Sequence, residues 1–340
     1  MRLGIIRMVG MANLAPSKAQ SRSLSPALIH EGSSCAYCRM ILIALLIYWA
    51  AGPANAHNAS ASESAASGPL EWTFDPWITG PIFTLALLYA VGEMKLLRRS
   101  ARRAVGPVWR SSVFFWAGVI VLVAALLSPV HELAEQLFTV HMIEHELVMA
   151  IAAPLLVLAR PMGALLWGLP QVVRSRTKHV LSRQTLRRLW WIASVPAVAT
   201  ALHGLAIWVW HVPPLFDATV SDILLHRLQH LSFFLTGILF WWAVIWRSSR
   251  GRAAWHLFVT MMHTSILGAL IALAPSVLYV SQTHHAADWG LTPLEDQQLA
   301  GILMWVPGGI VYAGAALWCL STWIRHSSEG GEHDGRVAVR

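Results

Sequence analysis

Residues 137–158 read LFTVHMIEHELVMAIAAPLLVL, an apolar run with only a few polar side chains. A helix needs about 20 apolar residues to cross the ~30 Å of hydrocarbon in a membrane, and this run has that length. Similar runs occur on both sides of it, so the sequence predicts an all-α, polytopic membrane bundle of about seven transmembrane helices. The predicted spans are 77–92, 112–128, 137–158, 191–212, 227–246, 255–275 and 297–321.

The composition supports this interpretation. Of the 340 residues, 56% are apolar and only 12% are charged, whereas soluble domains carry about 25% charge. The formal net charge of +8 is divided into short basic blocks between apolar stretches. Blocks of this kind are typical of membrane topology and not of a phosphate-binding surface. The sequence therefore predicts membrane lipid as the surroundings and no nucleic acid as a partner.

The charged residues also predict an orientation. Lys and Arg concentrate in the loops after the first, third and fifth predicted spans, while the alternate loops contain Glu132, Glu135, Asp217, Asp222 and Asp288. Cytoplasmic loops carry an excess of Lys and Arg in membrane proteins. We therefore expect a multi-pass membrane protein, with the mature N-terminus outside and the C-terminus in the cytoplasm.

The first 56 residues have the pattern of a leader. Basic residues precede the apolar run 41–51, and an Ala-x-Ala site predicts cleavage of a signal peptide after Ala56. Cys35 and Cys38 form a CxxC inside this leader, which we interpret as incidental. The expected organisation is then a periplasmic segment at 57–76, a transmembrane domain at 77–325 and a cytoplasmic tail at 326–340.

Histidines gather towards the ends of the predicted spans that face the periplasm. Two pairs have i, i+4 spacing, which places both rings of a pair on one helix face. Ionisable residues inside a span are candidates for function, although neutral imidazoles can also join helices by hydrogen bonds. We favour a shared metal site. Its predicted ligands are His141, His145, His203, His211, His226, His230, His263 and Met304.

The neighbouring side chains favour one metal. Imidazole suits copper, zinc and iron, whereas thioether sulfur favours Cu(I). Met142 and Met149 lie close to the first histidine pair in the sequence, and Met304 lies in the last span. We therefore predict copper, as Cu(I). Glu144, beside the same pair, is expected to hold an imidazole in place as an outer-shell partner.

Enzyme motifs are missing from the sequence. His145 and Glu146 begin an HExxH pattern, but Met149 stands where the second histidine is needed. No phosphate-binding loop, dinucleotide fingerprint or nucleophile elbow is present. We therefore expect a protein that is not an enzyme.

Three segments resemble one family. They are HMIEHELVMAIAAPLLVL (141–158), WVWHVPPLFDATVSDILLHRLQHLSFFLTGILFWW (208–242) and TPLEDQQLAGILMWVPGGIVY (292–312). In this order they resemble the CtaG family of caa3-type cytochrome c oxidase assembly proteins, over roughly residues 70–325. The family usually has HMxQH where this chain has Glu144 in place of the glutamine.

The resemblance implies a multi-pass assembly factor of the bacterial inner membrane, with its N-terminus in the periplasm, that handles copper for a haem–copper oxidase. The implied partners are cytochrome c oxidase subunits and periplasmic copper chaperones. It carries over Asp296 and Gln297, which we expect near the metal, together with His141, His145, His211, His226, His230 and Met304. His203 and His263 are predicted from their place in the spans. Three alternatives stay open: a membrane cytochrome with bis-histidine haem, a copper or proton transporter with a path along His203, His263 and Met304, and a scaffold whose histidines only pack.

Overall fold

The computed structural model describes residues 72–99 and 105–337. Within these ranges the chain is helical, with no strand. The predicted leader with Cys35 and Cys38, and nearly all of the predicted periplasmic segment, lie outside the described residues. The expected all-α class is confirmed.

Twelve helices in the described ranges are numbered here in chain order. They are α1 (Pro76–Arg99), α2 (Val105–Leu126), α3 (Pro129–Gln136), α4 (Phe138–Ala159), α5 (Met162–Gly168), α6 (Gln171–Leu181), α7 (Gln184–Ala193), α8 (Pro196–Trp210), α9 (Pro213–Ser221), α10 (Ile223–Arg247), α11 (Arg250–Ala272) and α12, which begins with Pro293–Leu303 and ends with Gly309–Val337. A 3₁₀ turn, Ala286–Trp289, lies between α11 and α12.

Six of these helices are long and apolar enough to cross a membrane, namely α1, α2, α4, α10, α11 and α12. The pair α7 and α8 supplies a seventh candidate, bent by 74° at its break. The prediction of one continuous helix over 191–212 is therefore wrong. Pro196 explains the break, because proline disfavours the helical conformation in the residue before it. Helix α8 keeps 15 residues, about 22 Å of helix.

The predicted cytoplasmic loop after the third span is also more ordered than expected, since it contains α5, α6 and most of α7. Helix α5 packs closely against α1 through two glycines. A Cβ atom at Gly92 would lie 1.7 Å from the carbonyl oxygen of Ala164, and one at Gly168 would lie 2.1 Å from that of Leu88. Only glycine permits this approach, and the resulting contact fixes α5 to the membrane bundle.

Two membrane helices contain a π-helical stretch, at Leu147–Ala152 in α4 and at Met304–Gly308 in α12. Proline accounts for both. Pro154 follows the first stretch and Pro307 lies in the second, and a proline cannot donate the hydrogen bond that continues an α-helix. Neighbouring helices replace lost partners. The indole Nε1 of Trp241 on α10 donates to the carbonyl oxygen of Met149 at 2.9 Å.

Candidate metal centre

Helix α4 is held at its first turn by a carboxylate from α12. Asp296 accepts the backbone N–H of Phe138 at 2.8 Å and that of Thr139 at 2.9 Å. These are two of the donors that a helix leaves unpaired at its N-terminus, and Asp296 is completely buried. The cap fixes the position of His141, one turn further along α4, and of His145 on the same helix face.

Helix α10 carries the second histidine pair and has its own cap. The side chain of Asp222 accepts the backbone N–H groups of Leu224 and Leu225 at 2.8 and 3.2 Å. One turn later, the rings of His226 and His230 stack, with centroids 4.6 Å apart and planes inclined by 9°. The i, i+4 spacing thus places both rings on one face, as the sequence predicts.

The two pairs meet. Single ligand atoms of His141, His145 and His230 all lie within 4.8 Å of one another. Ring centroids are 4.3 Å apart for His141 and His145, and 4.9 Å apart for His145 and His230. We call these three residues the triad. Among the described residues, neither ring nitrogen of His145 has a hydrogen-bond partner, although the residue is 2% exposed.

His211 joins the triad from the end of α8. Its ring lies 6.3 Å from that of His145. Its Nδ1 is 2.7 Å from the carbonyl oxygen of Ile207, which can only accept, so Nδ1 carries the proton and Nε2 keeps a free lone pair. That Nε2 is buried without a partner in the described part of the chain. A backbone carbonyl orients metal-bound histidines in the same way.

His131 is a member of the cluster that we did not predict as a ligand. Its ring lies 6.0 Å from that of His226 and 6.4 Å from that of His230. The residue belongs to α3, a segment that the sequence predicts to be a loop between two spans. Ser128 and Pro129 are the signal that identifies this helix, because the Ser128 side chain accepts the backbone N–H of Val130 at 3.2 Å.

Glu144 lies among these rings, fully buried. Its Oε1 is 2.9 Å from Nδ1 of His131 and 3.7 Å from Nδ1 of His230. His131 lies outside the candidate spans. Burial by itself lowers the pKa of this imidazole, but the hydrogen bond to Glu144 and the charge of Glu144 outweigh burial and hold the pKa above its usual value.

The structure places Asp296 and Gln297 against backbone and not against imidazole. Asp296 caps α4, and Oε1 of Gln297 accepts the N–H groups of Leu278 and Tyr279 at 2.6 and 3.3 Å. The hydroxyl of Tyr279 in turn donates to the carbonyl oxygen of His211 at 2.8 Å. Asp296 and Gln297 therefore support the helices that carry the histidines through backbone contacts, and their described hydrogen bonds do not involve an imidazole ring.

Three further predicted ligands are not members of the triad. His203 on α8 has its Nδ1 3.1 Å from the Thr236 hydroxyl, and its Nε2 has no partner among the described residues. His263 on α11 lies against Gly204, where a Cβ atom would be 3.3 Å from its Nε2. Met304 packs in an apolar cluster with Phe233, whose ring lies 4.8 Å from that of His145.

Buried nitrogen atoms without hydrogen bonds are costly, and native proteins leave few of them. The ligand atoms of the triad lie close to one another, within 4.8 Å. Several neutral imidazole nitrogens in an apolar setting are a donor set that suits copper or zinc. The residues present thus fit a metal ion. In the described part of the chain, the histidines with a buried and unpaired Nε2 atom are His141, His145, His203, His211, His226, His230 and His263.

Comparison with known proteins gives a family match and several relatives. The family described as "Cytochrome c oxidase caa3 assembly factor (Caa3_CtaG)" matches residues 87–326, which include every histidine of the cluster. Proteins Mb0105 of Mycobacterium bovis and ML1998 of Mycobacterium leprae are 26% and 24% identical to this chain. Those alignments cover 79% of this chain but only 40% and 41% of the relatives, so the chain spans about two fifths of their length.

No solved structure matches the chain. The family match extends over most of the 340 residues, and its limits contain the three segments on which the resemblance depends. The chain belongs to the family of cytochrome c oxidase caa3 assembly factors.

Proposed function

We propose that this assembly factor binds Cu(I) at the triad and helps to deliver it to the cytochrome c oxidase that it assembles. One observation carries the proposal: ligand atoms of His141, His145 and His230 lie within 4.8 Å of one another in a buried site. An assembly factor for a haem–copper enzyme has a use for such a site, because the oxidase must receive copper during maturation. The role is one of binding and transfer, without catalysis.

The surroundings favour copper over zinc. Met142, Met149 and Met304 are each 2% exposed and lie in the apolar cluster next to the triad. Thioether sulfur is a soft ligand that suits Cu(I), whereas protein zinc sites are built from Cys, His and carboxylate ligands. A soft, low-charge ion is also less costly to hold in an apolar bundle than a divalent one.

Close packing of the rings favours an ion over haem. A bis-histidine haem needs an open slot for the porphyrin between two opposed imidazoles. In this cluster the opposed rings of His145 on α4 and His230 on α10 are 4.9 Å apart, and those of His141 and His226 are 5.6 Å apart. Such distances leave room for an ion and not for a macrocycle.

Charge distribution favours a periplasmic position for the triad. The end of the bundle opposite to the histidines carries most of the basic residues, and several of its arginines lie over tryptophan rings. The Cζ atom of Arg160 lies 3.4 Å from the centre of the Trp246 ring, and that of Arg250 lies 5.9 Å from the centre of the Trp318 ring. An excess of lysine and arginine is typical of a cytoplasmic interface. At the histidine end, Arg227 is paired with Asp75 at 2.8 Å. Periplasmic copper chaperones are then the donors of the ion, and oxidase subunits are its acceptors.

An inward copper path is the second candidate. The unpartnered nitrogens of His203 and His263 favour it, since both residues lie within candidate spans. Purified protein in sealed vesicles separates the two functions. Delivery predicts copper bound to the protein without uptake into the vesicle, whereas transport predicts uptake that His263→Ala abolishes.

The decisive experiment is elemental analysis with an optical spectrum, on full-length protein purified without a polyhistidine tag. We expect bound copper and no haem absorption. We expect His145→Ala to lose the copper and, in cells, the oxidase activity. His179→Ala is the control, because His179 is exposed on α6 at the basic end. Copper-free wild-type protein that still supports oxidase assembly would contradict the proposal and favour a scaffold.

A further inference from the structure

The cluster contains more imidazoles than one ion can bind. Copper and zinc ions take at most about four protein ligands. The triad supplies three, and the ring of His211, 6.3 Å from that of His145, is the candidate for a fourth. His131 and His226 remain, yet both pack directly against the triad. Their rings lie 6.4 Å from that of His230 and 5.6 Å from that of His141, respectively.

These two histidines also contact each other, on the side of the triad that leads out of the bundle. Their ring centroids are 6.0 Å apart, with the planes at 75°. His226 lies one turn before His230, near the start of α10, and His131 lies in α3, outside the candidate spans. Nε2 of His226 is buried and has no partner among the described residues.

A hydrogen bond fixes the orientation of His131. Its Nδ1 faces Oε1 of Glu144 at 2.9 Å, which turns Nε2 away from that carboxylate. The nearest carboxylate to Nε2 is that of Glu135 at 4.0 Å, too far for a hydrogen bond. The Glu135 side chain is 62% exposed. Nε2 of His131 therefore lies on the side of the ring that is closest to an exposed carboxylate.

Glu144 lies between the outer pair and the triad. The same Oε1 atom is 3.7 Å from Nδ1 of His230, and the other oxygen, Oε2, is buried with no partner in the described part of the chain. An isolated carboxylate inside a membrane protein is costly, unless a positive charge lies close by. A monovalent metal ion on either side of Glu144 supplies that charge, so a single carboxylate stabilises both positions.

We propose that His131 and His226 form a second, outer ion position, from which Cu(I) passes to the triad. The proposal rests on the proposed copper function. The ion keeps its oxidation state during the transfer, since only imidazole ligands are exchanged. His226 stacks on His230, and both His131 and His230 lie near Oε1 of Glu144. The two ion positions are therefore adjacent, and they share no ligand.

The stoichiometry of binding tests the outer position. Cu(I) is titrated without oxygen into tag-free, full-length protein, in competition with a chromogenic Cu(I) chelator. We expect two ions per wild-type chain and one in the double variant His131→Ala, His226→Ala. The affinity of the double variant for its one ion should lie within about threefold of one of the two wild-type affinities. His179→Ala, on the exposed helix α6, should keep both ions. Circular dichroism checks that each variant is folded.

Wild-type protein that binds one ion overturns the outer position and leaves the copper function intact, whereas wild-type protein that binds none overturns both. A folded double variant that loses both ions also overturns the outer position. The rate gives an independent readout. We expect the double variant to fill the triad at least tenfold more slowly than wild type in stopped-flow mixing, and equal rates would overturn the transfer from the outer pair.

Discussion

The carboxylate of Asp296 accepts the backbone N–H of Phe138 at 2.8 Å, and this contact joins the start of α12 to the start of the helix that carries His141 and His145. A cap normally comes from the residue that precedes its own helix. Here it comes from a residue 158 positions away along the chain. The geometry of the candidate metal centre therefore depends on how two membrane helices meet.

We expect Asp296→Asn to destabilise the protein by about 1–2 kcal/mol, because one carboxylate oxygen that accepts an N–H is replaced by a donor. Cu(I) affinity should fall with it, since α4 loses its fixed start. Thermal unfolding in detergent and copper titration measure the two effects. The exposed neighbour Glu295 provides the control Glu295→Gln, and equal losses in both variants would contradict a special role for Asp296.

The two adjacent tryptophans of α10 offer a matched test of the π-helical stretch in α4. Trp241 donates to the carbonyl oxygen of Met149, whereas Nε1 of Trp242 has no partner among the described residues. Both indoles are 4% exposed. We expect Trp241→Phe to be more destabilising than Trp242→Phe by about 1 kcal/mol, the usual worth of one hydrogen bond. Equal unfolding temperatures would show that this bond does not stabilise the stretch.

A pair of glycines tests the contact between α1 and α5. A Cβ atom at Gly92 would overlap the carbonyl oxygen of Ala164, while one at Gly163 would meet nothing within 4 Å. We expect Gly92→Ala to reduce the yield and the unfolding temperature of the protein. Gly163→Ala should be neutral or stabilising by up to about 1 kcal/mol, because alanine favours a helix. A stable Gly92→Ala variant would contradict the close contact.

The contact between His131 and Glu144 predicts a pH dependence in metal-free protein. Because the pKa of His131 is raised in the folded state, protonation favours folding. The stabilisation is complete below the ordinary histidine pKa and disappears as the pH rises through the raised value. Glu144→Gln removes the charge that raises the pKa. With chelator present, we expect the wild type to unfold at a higher temperature than this variant. The difference between the two unfolding temperatures should be larger at pH 5.5 than at pH 9.

A difference that is constant between these pH values would contradict the ion pair. His131→Gln serves as the second half of the test. In that background, Glu144→Gln should no longer change the pH dependence, because the titrating imidazole is gone.

Much of this fold follows from hydropathy alone, because crossing a membrane imposes a length and a composition on each helix. The i, i+4 histidine pairs were also predictable, since helical periodicity decides which side chains share a face. The association of the α4 and α10 pairs was not, because nothing in local sequence states which helices are neighbours.

Other features depend on contacts that a local pattern does not contain. His131 lies in a helix of eight residues that is too short and polar to be recognised as part of a membrane bundle. Asp296 at a helix start has the position of a residue that stabilises its own helix, yet it caps α4 instead. The break before Pro196 was visible in the sequence, but proline is tolerated in membrane helices often enough to hide it.

The π-helical stretch of α4 has one more consequence. A stretch of this kind is an α-helix that has gained one residue, and the gain turns all later side chains by about 100° about the helix axis. The side chains of the half of α4 that carries the histidines and those of the half that packs near α2 therefore have directions that are set independently. Deletion of one residue between 147 and 152 would restore a regular helix, and one of the two halves would then face the wrong neighbours.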